Sequence, residues 1–277
     1  MRRSRHHEPE WITVHGHPLG SSGVSRRWTA RRRSSTRSLA AFPGTLDDWD
    51  PAFISALAAH RQVIRFDNAG IGGSSGQVPD SIEGMAEVAA AFIDALALTK
   101  VDLLGWSLGG TVAQQVALDR PQLVRRLVIA GSSPGGISDG PQAHPRVPEV
   151  MTRPVNGEED FLFLFFTETD TGRAAGKASL ARLGALQDKV PAVTKESFLR
   201  QVKALTQWKG TRARLGELKL PILVANGTSD VMLPAYRSYV ISQEAPNAKL
   251  ILYPDAGHGF LFQDIEDFTG RVTRFLA

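Results

Sequence analysis

The sequence predicts an α/β domain, a mostly parallel doubly wound sheet carrying a helical insertion, and three observations point to it. Short apolar runs that read as buried strands alternate with segments of helical period, a pattern that requires a parallel sheet covered on both faces. Val101-Asp102-Leu103-Leu104-Gly105-Trp106-Ser107-Leu108-Gly109-Gly110 runs an apolar strand through a serine set among glycines into a helix. Between residues 134 and 210 the alternation stops, and it resumes afterwards. At 277 residues and 42% hydrophobic composition, the chain can bury a sizeable single core.

Each element has a local reason. Trp11-Ile12-Thr13-Val14-His15-Gly16 reads as a first strand. Asp50 is placed to cap a helix with Pro51 at its first position, running to about residue 60. Val63-Ile64-Arg65-Phe66 is a strand, and the Gly- and Ser-rich stretch after it is a turn. A helix opens near Asp80 or Ser81, where Asp80 and Glu83 form a capping pair, and Ile82, Met85, Val88, Phe92 and Leu96 recur at three- and four-residue steps. The helix from Gly109 to Arg120 is stopped by Pro121, and Leu127-Val128-Ile129-Ala130 is the next strand. Lys219-Leu220-Pro221-Ile222-Leu223-Val224-Ala225-Asn226-Gly227 and Lys249-Leu250-Ile251-Leu252-Tyr253 supply two more.

The strand, turn and helix around Ser107 is the context in which G-x-S-x-G carries a mechanism, because the sharp turn holds the serine oxygen clear of the backbone. Gly105 and Gly109 leave room where strand and helix approach each other. A nucleophilic serine needs a base, and the base needs an orienting acid. Asp230 lies in the loop after one late strand and His258 in Gly257-His258-Gly259 after the next, so the candidates come in the order Ser107, Asp230, His258. That is the order of nucleophile, acid and base in α/β-hydrolases.

These motifs, together with Phe42-Pro43-Gly44-Thr45-Leu46-Asp47-Asp48-Trp49 and Phe66-Asp67-Asn68-Ala69-Gly70-Ile71-Gly72-Gly73-Ser74-Ser75, make the chain resemble the α/β-hydrolase superfamily, in particular its esterase, lipase and cofactor-free haloperoxidase-like members. The resemblance spans about residues 42–277. It implies an oxyanion hole formed by the backbone N–H groups of Phe42 and Leu108, and a helical cap over residues 134–210 inserted in a core of residues 41–133 and 211–277. The cap stretch is apolar. Phe161, Phe165 and Trp208 in it, with Trp106 beside the nucleophile, are candidates for substrate contact, although such residues can equally pack the cap helices on one another. Asp67 ends a strand but reads as a loop-stabilising residue.

Residues 1–40 depart from the family pattern. They hold nine arginines, no lysine and two glutamates, a formal +7, against 23 basic and 26 acidic residues in the remainder, a formal −3. Arg31, Arg32, Arg33 and Arg37 stand where a buried central strand is expected, so an irregular segment with disrupted N-terminal strands is predicted. Three origins are open: a transit peptide, a basic arm, or a shifted reading frame.

Other readings are weaker. With no cysteine, disulfides and thiolate metal sites are excluded. Gly70, Gly72, Gly73 and Gly76 lack the spacing of a nucleotide loop, and His6, His7, His15 and His17 do not form a metal motif. No apolar run reaches membrane-span length and no secretory signal is visible. The expectation is a cytoplasmic enzyme with no cofactor, no metal, no nucleic-acid partner and no membrane association. Its chemistry would be acyl transfer from a small to medium apolar ester or lactone to water. The alternatives are perhydrolase or haloperoxidase activity with the same three residues, and a non-catalytic relic of the fold.

Overall fold

The computed structural model describes residues 45–153, 155–187 and 189–277, together with the backbone of residues 11–15 and 38–42. Its strands are β1 (Trp11–His15), β2 (Ser38–Phe42), β3 (Gln62–Asp67), β4 (Val101–Trp106), β5 (Val124–Ala130), β6 (Ile222–Gly227) and β7 (Ala248–Tyr253). They form one sheet in the order β1-β3-β2-β4-β5-β6-β7, and every neighbouring pair is parallel.

The pleat sends alternate side chains to opposite faces. Val101, Leu103, Leu127, Ile129, Ile222 and Val224 enter one core cluster, whereas Leu104, Trp106, Val128, Ala130, Leu223 and Ala225 enter the other. The first face is covered by α2 (Ile82–Ala95), α3 (Leu108–Asp119) and α8 (Tyr236–Glu244). The second is covered by α1 (Pro51–Ala58) and α10 (Ile265–Phe275). Burial on both faces is why β4, Leu127–Ala130 of β5 and Ile222–Ala225 of β6 read as apolar runs rather than alternating ones. The exception within β4 is Asp102, fully buried, whose carboxylate accepts two bonds from Arg125 at 2.9 and 2.7 Å and faces Arg61 at 3.6 Å.

Within residues 1–44 the backbone is described at two stretches. Trp11–His15 is a strand paired with β3, as its composition suggests, and Ser38–Phe42 is a strand paired with both β3 and β4. Irregularity across residues 1–40 therefore does not extend to residues 11–15 or 38–40. The reason is in the boundary: β2 begins one residue after Arg37, so the strand itself is Ser-Leu-Ala-Ala-Phe and carries no charge. Arg31, Arg32, Arg33 and Arg37 lie outside the described residues.

The cap of α2 also differs from the expected one. Ser81, in extended backbone, accepts from the Gly84 N–H at 3.1 Å, while the Asp80 carboxylate turns outward to Lys203 Nζ at 2.6 Å. A serine oxygen on a short stem reaches the third helical N–H without strain, so it takes the cap position.

Four helices separate β5 from β6: α4 (Arg146–Met151), α5 (Glu158–Phe165), α6 (Asp170–Gly184) and α7 (Lys195–Gln207). Asp50 ties this insertion to the core. One carboxylate oxygen caps α1 through Ala52 N–H at 2.9 Å, and the other accepts from Ser179 at 2.8 Å and Arg182 at 2.6 Å on α6. Asp50→Ala leaves Arg182 without its counter-charge and α1 without its cap. A loss of about 2–3 kcal/mol is expected in urea unfolding, less than for a fully buried pair because Arg182 keeps 32% of its side-chain exposure. Among the described residues no helix is long and apolar enough to cross a membrane.

Candidate active site

The chain runs from β2 outward to β3, then crosses back over β2 to β4 and proceeds through β5, β6 and β7. This reversal of direction between β2 and β4 leaves a crevice at their carboxyl ends, the place where open parallel sheets bind ligands. Ser107 follows directly on β4 there, and Phe42 ends β2 in register with Gly105.

Ser107 has φ 55° and ψ −125°, a left-handed conformation that costs a side-chain-bearing residue on the order of 1–3 kcal/mol. Three hydrogen bonds hold it there. Its N–H donates to Ala130 O at 3.0 Å, and its carbonyl accepts from Gly110 N–H at 2.9 Å and from Ser132 Oγ at 2.7 Å. The approach of strand and helix is close enough that a Cβ on Gly105 would lie 2.6 Å from Gly110 Cα, and one on Gly110 would collide with the Ser132 side chain. Gly105 is thus required as the motif predicts. Gly110, outside the pentapeptide, is required as well, and Gly109 contributes the backbone against which Gly105 packs.

Leu108 opens α3, so its N–H belongs to the first turn, where no intrahelical acceptor exists and the helix dipole is positive. It points its helix end at the crevice beside the end of β2. Pro43 and Gly44, which follow Phe42, lie outside the described residues.

His258 and Asp230 form a buried pair. His258 Nδ1 lies 2.7 Å from Asp230 Oδ2, and both side chains are fully buried. The other carboxylate oxygen accepts from Met232 N–H at 2.9 Å and Leu233 N–H at 2.8 Å. An ionised carboxylate only accepts, so Nδ1 carries the imidazole proton and Nε2 is the free base. Nε2 is buried and has no hydrogen-bond partner among the described residues, Ser107 Oγ included.

The loop around His258 is held from two sides. Trp106, the residue before Ser107, donates its indole N–H to His258 O at 3.0 Å, and its ring lies 5.4 Å from the imidazole. Gly259 N–H donates to Phe165 O at 2.6 Å, and a Cβ on Gly257 would sit 2.7 Å from that same oxygen. The glycines of Gly257-His258-Gly259 therefore admit the end of α5 against the loop. Gly131, with φ 50°, performs the same service on the far side, where a Cβ would come within 3.2 Å of the imidazole.

The four residues marked for substrate contact are distributed unequally. Phe165 faces the imidazole at 5.9 Å, with Phe161 tilted against it at 4.9 Å. Trp106 is only 5% exposed and packs among Trp49, Phe165 and Phe262, so it braces the His258 loop. Trp208 packs on the opposite core cluster beside Gly135 and is not brought to the His258 ring.

Sequence reasoning overlooked Ser132, whereas Asp67 stabilises the loops beside it as its position suggests. Asp67 accepts from Leu46 N–H and Gly73 N–H, both at 2.8 Å, and Arg65 donates to Leu46 O at 2.7 Å. Together they clamp the segment following Phe42 to β3. The signal available was the position of a carboxylate at a strand end before a glycine-rich turn, which is short of backbone acceptors.

A family model described as alpha/beta hydrolase fold matches residues 39–265. The chain is 30% identical to the poly(3-hydroxyalkanoate) depolymerase of Ectopseudomonas oleovorans over 81% of this chain and 78% of that protein. It is 29% identical to a Rhizobium rhizogenes protein named "Putative carbamate hydrolase RutD" over 82% of this chain and 87% of the relative. A solved structure, the alpha/beta hydrolase fold protein from Chitinophaga pinensis, superposes with a TM-score of 0.78 at 34% identity and covers 87% of this chain and 90% of that one. The fold, the crevice and these matches agree that the chain belongs to the alpha/beta hydrolase fold family.

Proposed function

We propose that this protein is a serine hydrolase that cleaves a small to medium apolar carboxylic ester through an acyl-enzyme. The observation that carries the reading is the strained Ser107 at the switch point of the sheet, one residue from the tryptophan that holds a buried His258–Asp230 pair. Strain at a non-glycine residue persists only where surrounding structure over-determines it, and such sites are concentrated where chemistry occurs.

In the proposed reaction Ser107 Oγ attacks the ester carbonyl while its proton passes to His258 Nε2. The oxyanion is received by the N–H groups of Phe42 and Leu108, a preorganised pair in which one donor is worth about 3–4 kcal/mol. Collapse breaks the bond to the alcohol oxygen, which takes the proton from Nε2. Water then adds to the acyl carbon, gives a proton to Nε2, and the second collapse returns Ser107 and releases the acid. Asp230 keeps the proton on Nδ1 throughout and stabilises the imidazolium. The unpartnered Nε2 supports this assignment, since a base awaiting its substrate tightens its hydrogen bonds only in the complex.

The relatives named as depolymerase and carbamate hydrolase act, by their names, on acyl–oxygen or acyl–nitrogen bonds, which is compatible with acyl transfer here. A fluorophosphonate probe tests the proposal most directly: covalent labelling is expected, and inert protein would refute it. His258→Ala should be as inactive on para-nitrophenyl esters as a variant without the nucleophile, because Ser107 then has no base. A His258→Ala protein that keeps its activity would remove His258 from the role.

A further inference from the structure

Arg237, in the first turn of α8, is a half-buried cation with no carboxylate in ion-pair contact among the described residues. Several interior guanidinium groups have carboxylates against them: Arg61 and Arg125 share Asp102, and Arg182 holds Asp50. Around Arg237 no carboxylate oxygen lies within 4.0 Å among the described residues. Its two terminal nitrogens make only long contacts, 3.5 Å to Ser133 Oγ and 3.4 Å to Gln142 Oε1, and its Nε is buried with no partner. Burial pulls the guanidinium below the usual arginine range, and the charge of Asp230 opposes that pull from a distance. A desolvated fork of donors with only long, uncharged contacts is half of an ion pair. Its planar geometry matches a carboxylate in particular.

The place of this cation gives it a use. Ser133 adjoins Ser132, whose Oγ holds the Ser107 carbonyl, and follows Gly131, which lies against the His258 ring. Gln142 precedes His144, whose N–H donates at 2.8 Å to Val231 O in the loop after Asp230. Arg237 therefore stands between the β5–α4 connection, which also carries the Ser132 contact to Ser107, and the Asp230 loop. Val231 and Met232 of that loop, like Phe163 and Phe165, pack against the buried Val147, Val150 and Leu164, so the surroundings of the loop are apolar.

We propose that Arg237, with the Ser133 hydroxyl and the Gln142 amide beside it, receives a carboxylate at the far end of the acyl group. The substrate class is then a monoester of an aliphatic dicarboxylic acid, with an apolar chain between the ester at Ser107 and the anion at Arg237. This rests on the hydrolase reading of Ser107 and narrows it.

The test compares mono-para-nitrophenyl adipate with para-nitrophenyl hexanoate, which share chain length and leaving group. The wild type should favour the charged ester, and this preference should weaken with added salt. In Arg237→Gln the ratio of kcat/KM for charged over neutral ester should fall about tenfold to hundredfold, mainly through KM, with partial recovery in Arg237→Lys. If Arg237 merely tethers the Ser133 and Gln142 loops, both esters lose rate together and the ratio stays put, which overturns the proposal. A wild type indifferent to the carboxylate does the same. Binding read without turnover separates this from the reading it rests on: monomethyl adipate titrated calorimetrically into Ser107→Ala protein should bind at least about tenfold more weakly when Arg237→Gln is added. Equal affinities refute the subsite whether or not any ester is hydrolysed.

Discussion

Ser107→Ala is expected to abolish both fluorophosphonate labelling and ester hydrolysis, with kcat lower by on the order of 10⁶. The magnitude follows from the way such a group works as a unit: once the nucleophile is gone, His258 has no proton to accept and the acyl-enzyme cannot form. The substitution is mild for the fold, since the bonds that hold the elbow run through the Ser107 backbone to Ala130, Gly110 and Ser132, and none uses Oγ. A loss of activity can thus be assigned to chemistry, provided the variant unfolds in urea at the wild-type midpoint. Mass spectrometry should place the probe on Ser107 in the wild type. An adduct on Ser74 or Ser133 would displace the nucleophile assignment altogether.

Asp230→Asn should lower kcat by on the order of 10⁴, the size of effect known for the corresponding change in a serine protease. The structure supplies the reason in this chain. Asp230 Oδ1 is taken by two N–H donors, those of Met232 and Leu233, so an asparagine must keep its oxygen on that side. Its NH₂ group then faces His258 Nδ1 at the position now occupied by Oδ2. Two donors cannot share that contact, and the imidazole shifts its proton to Nε2, where it blocks acceptance from Ser107. The loss should appear in kcat with KM little changed, and should ease at high pH, where other routes to the serine alkoxide open. A variant within about tenfold of wild type would show that Asp230 is not the orienting acid.

Much of this molecule is written locally in the chain. The strands β4, β5 and β6 are legible because burial on both faces leaves no polar alternation to confuse their apolar runs. Ser107, Asp230 and His258 stand out because each follows a recognisable strand and because the order of the three is informative without any distance. What the chain does not display is anything that depends on a partner remote in sequence. Trp106 reads as a residue beside a nucleophile, and only the fold shows its indole braced on a carbonyl 152 residues away. Asp50 reads as a helix cap, and its second role on Ser179 and Arg182 exists only because α6 packs over α1. Asp80 and Ser81 are equivalent as cap candidates on composition, and the presence of Lys203 across the groove decides between them. The arginine-rich stretch before residue 38 masks a short uncharged strand, since a running view of composition averages Ser38–Phe42 with its neighbours, whereas pairing on both sides selects those five residues. The lack of a carboxylate in contact with Arg237 among the described residues is the extreme case, because it is a property of the space around a side chain. Sequence therefore determined the fold class and the order of the candidate triad, where local periodicity and turn chemistry suffice. Tertiary structure decided which glycines are sterically required, what holds the base loop, and where a cation waits for an anion, because close packing and desolvation arise only between segments brought together in three dimensions.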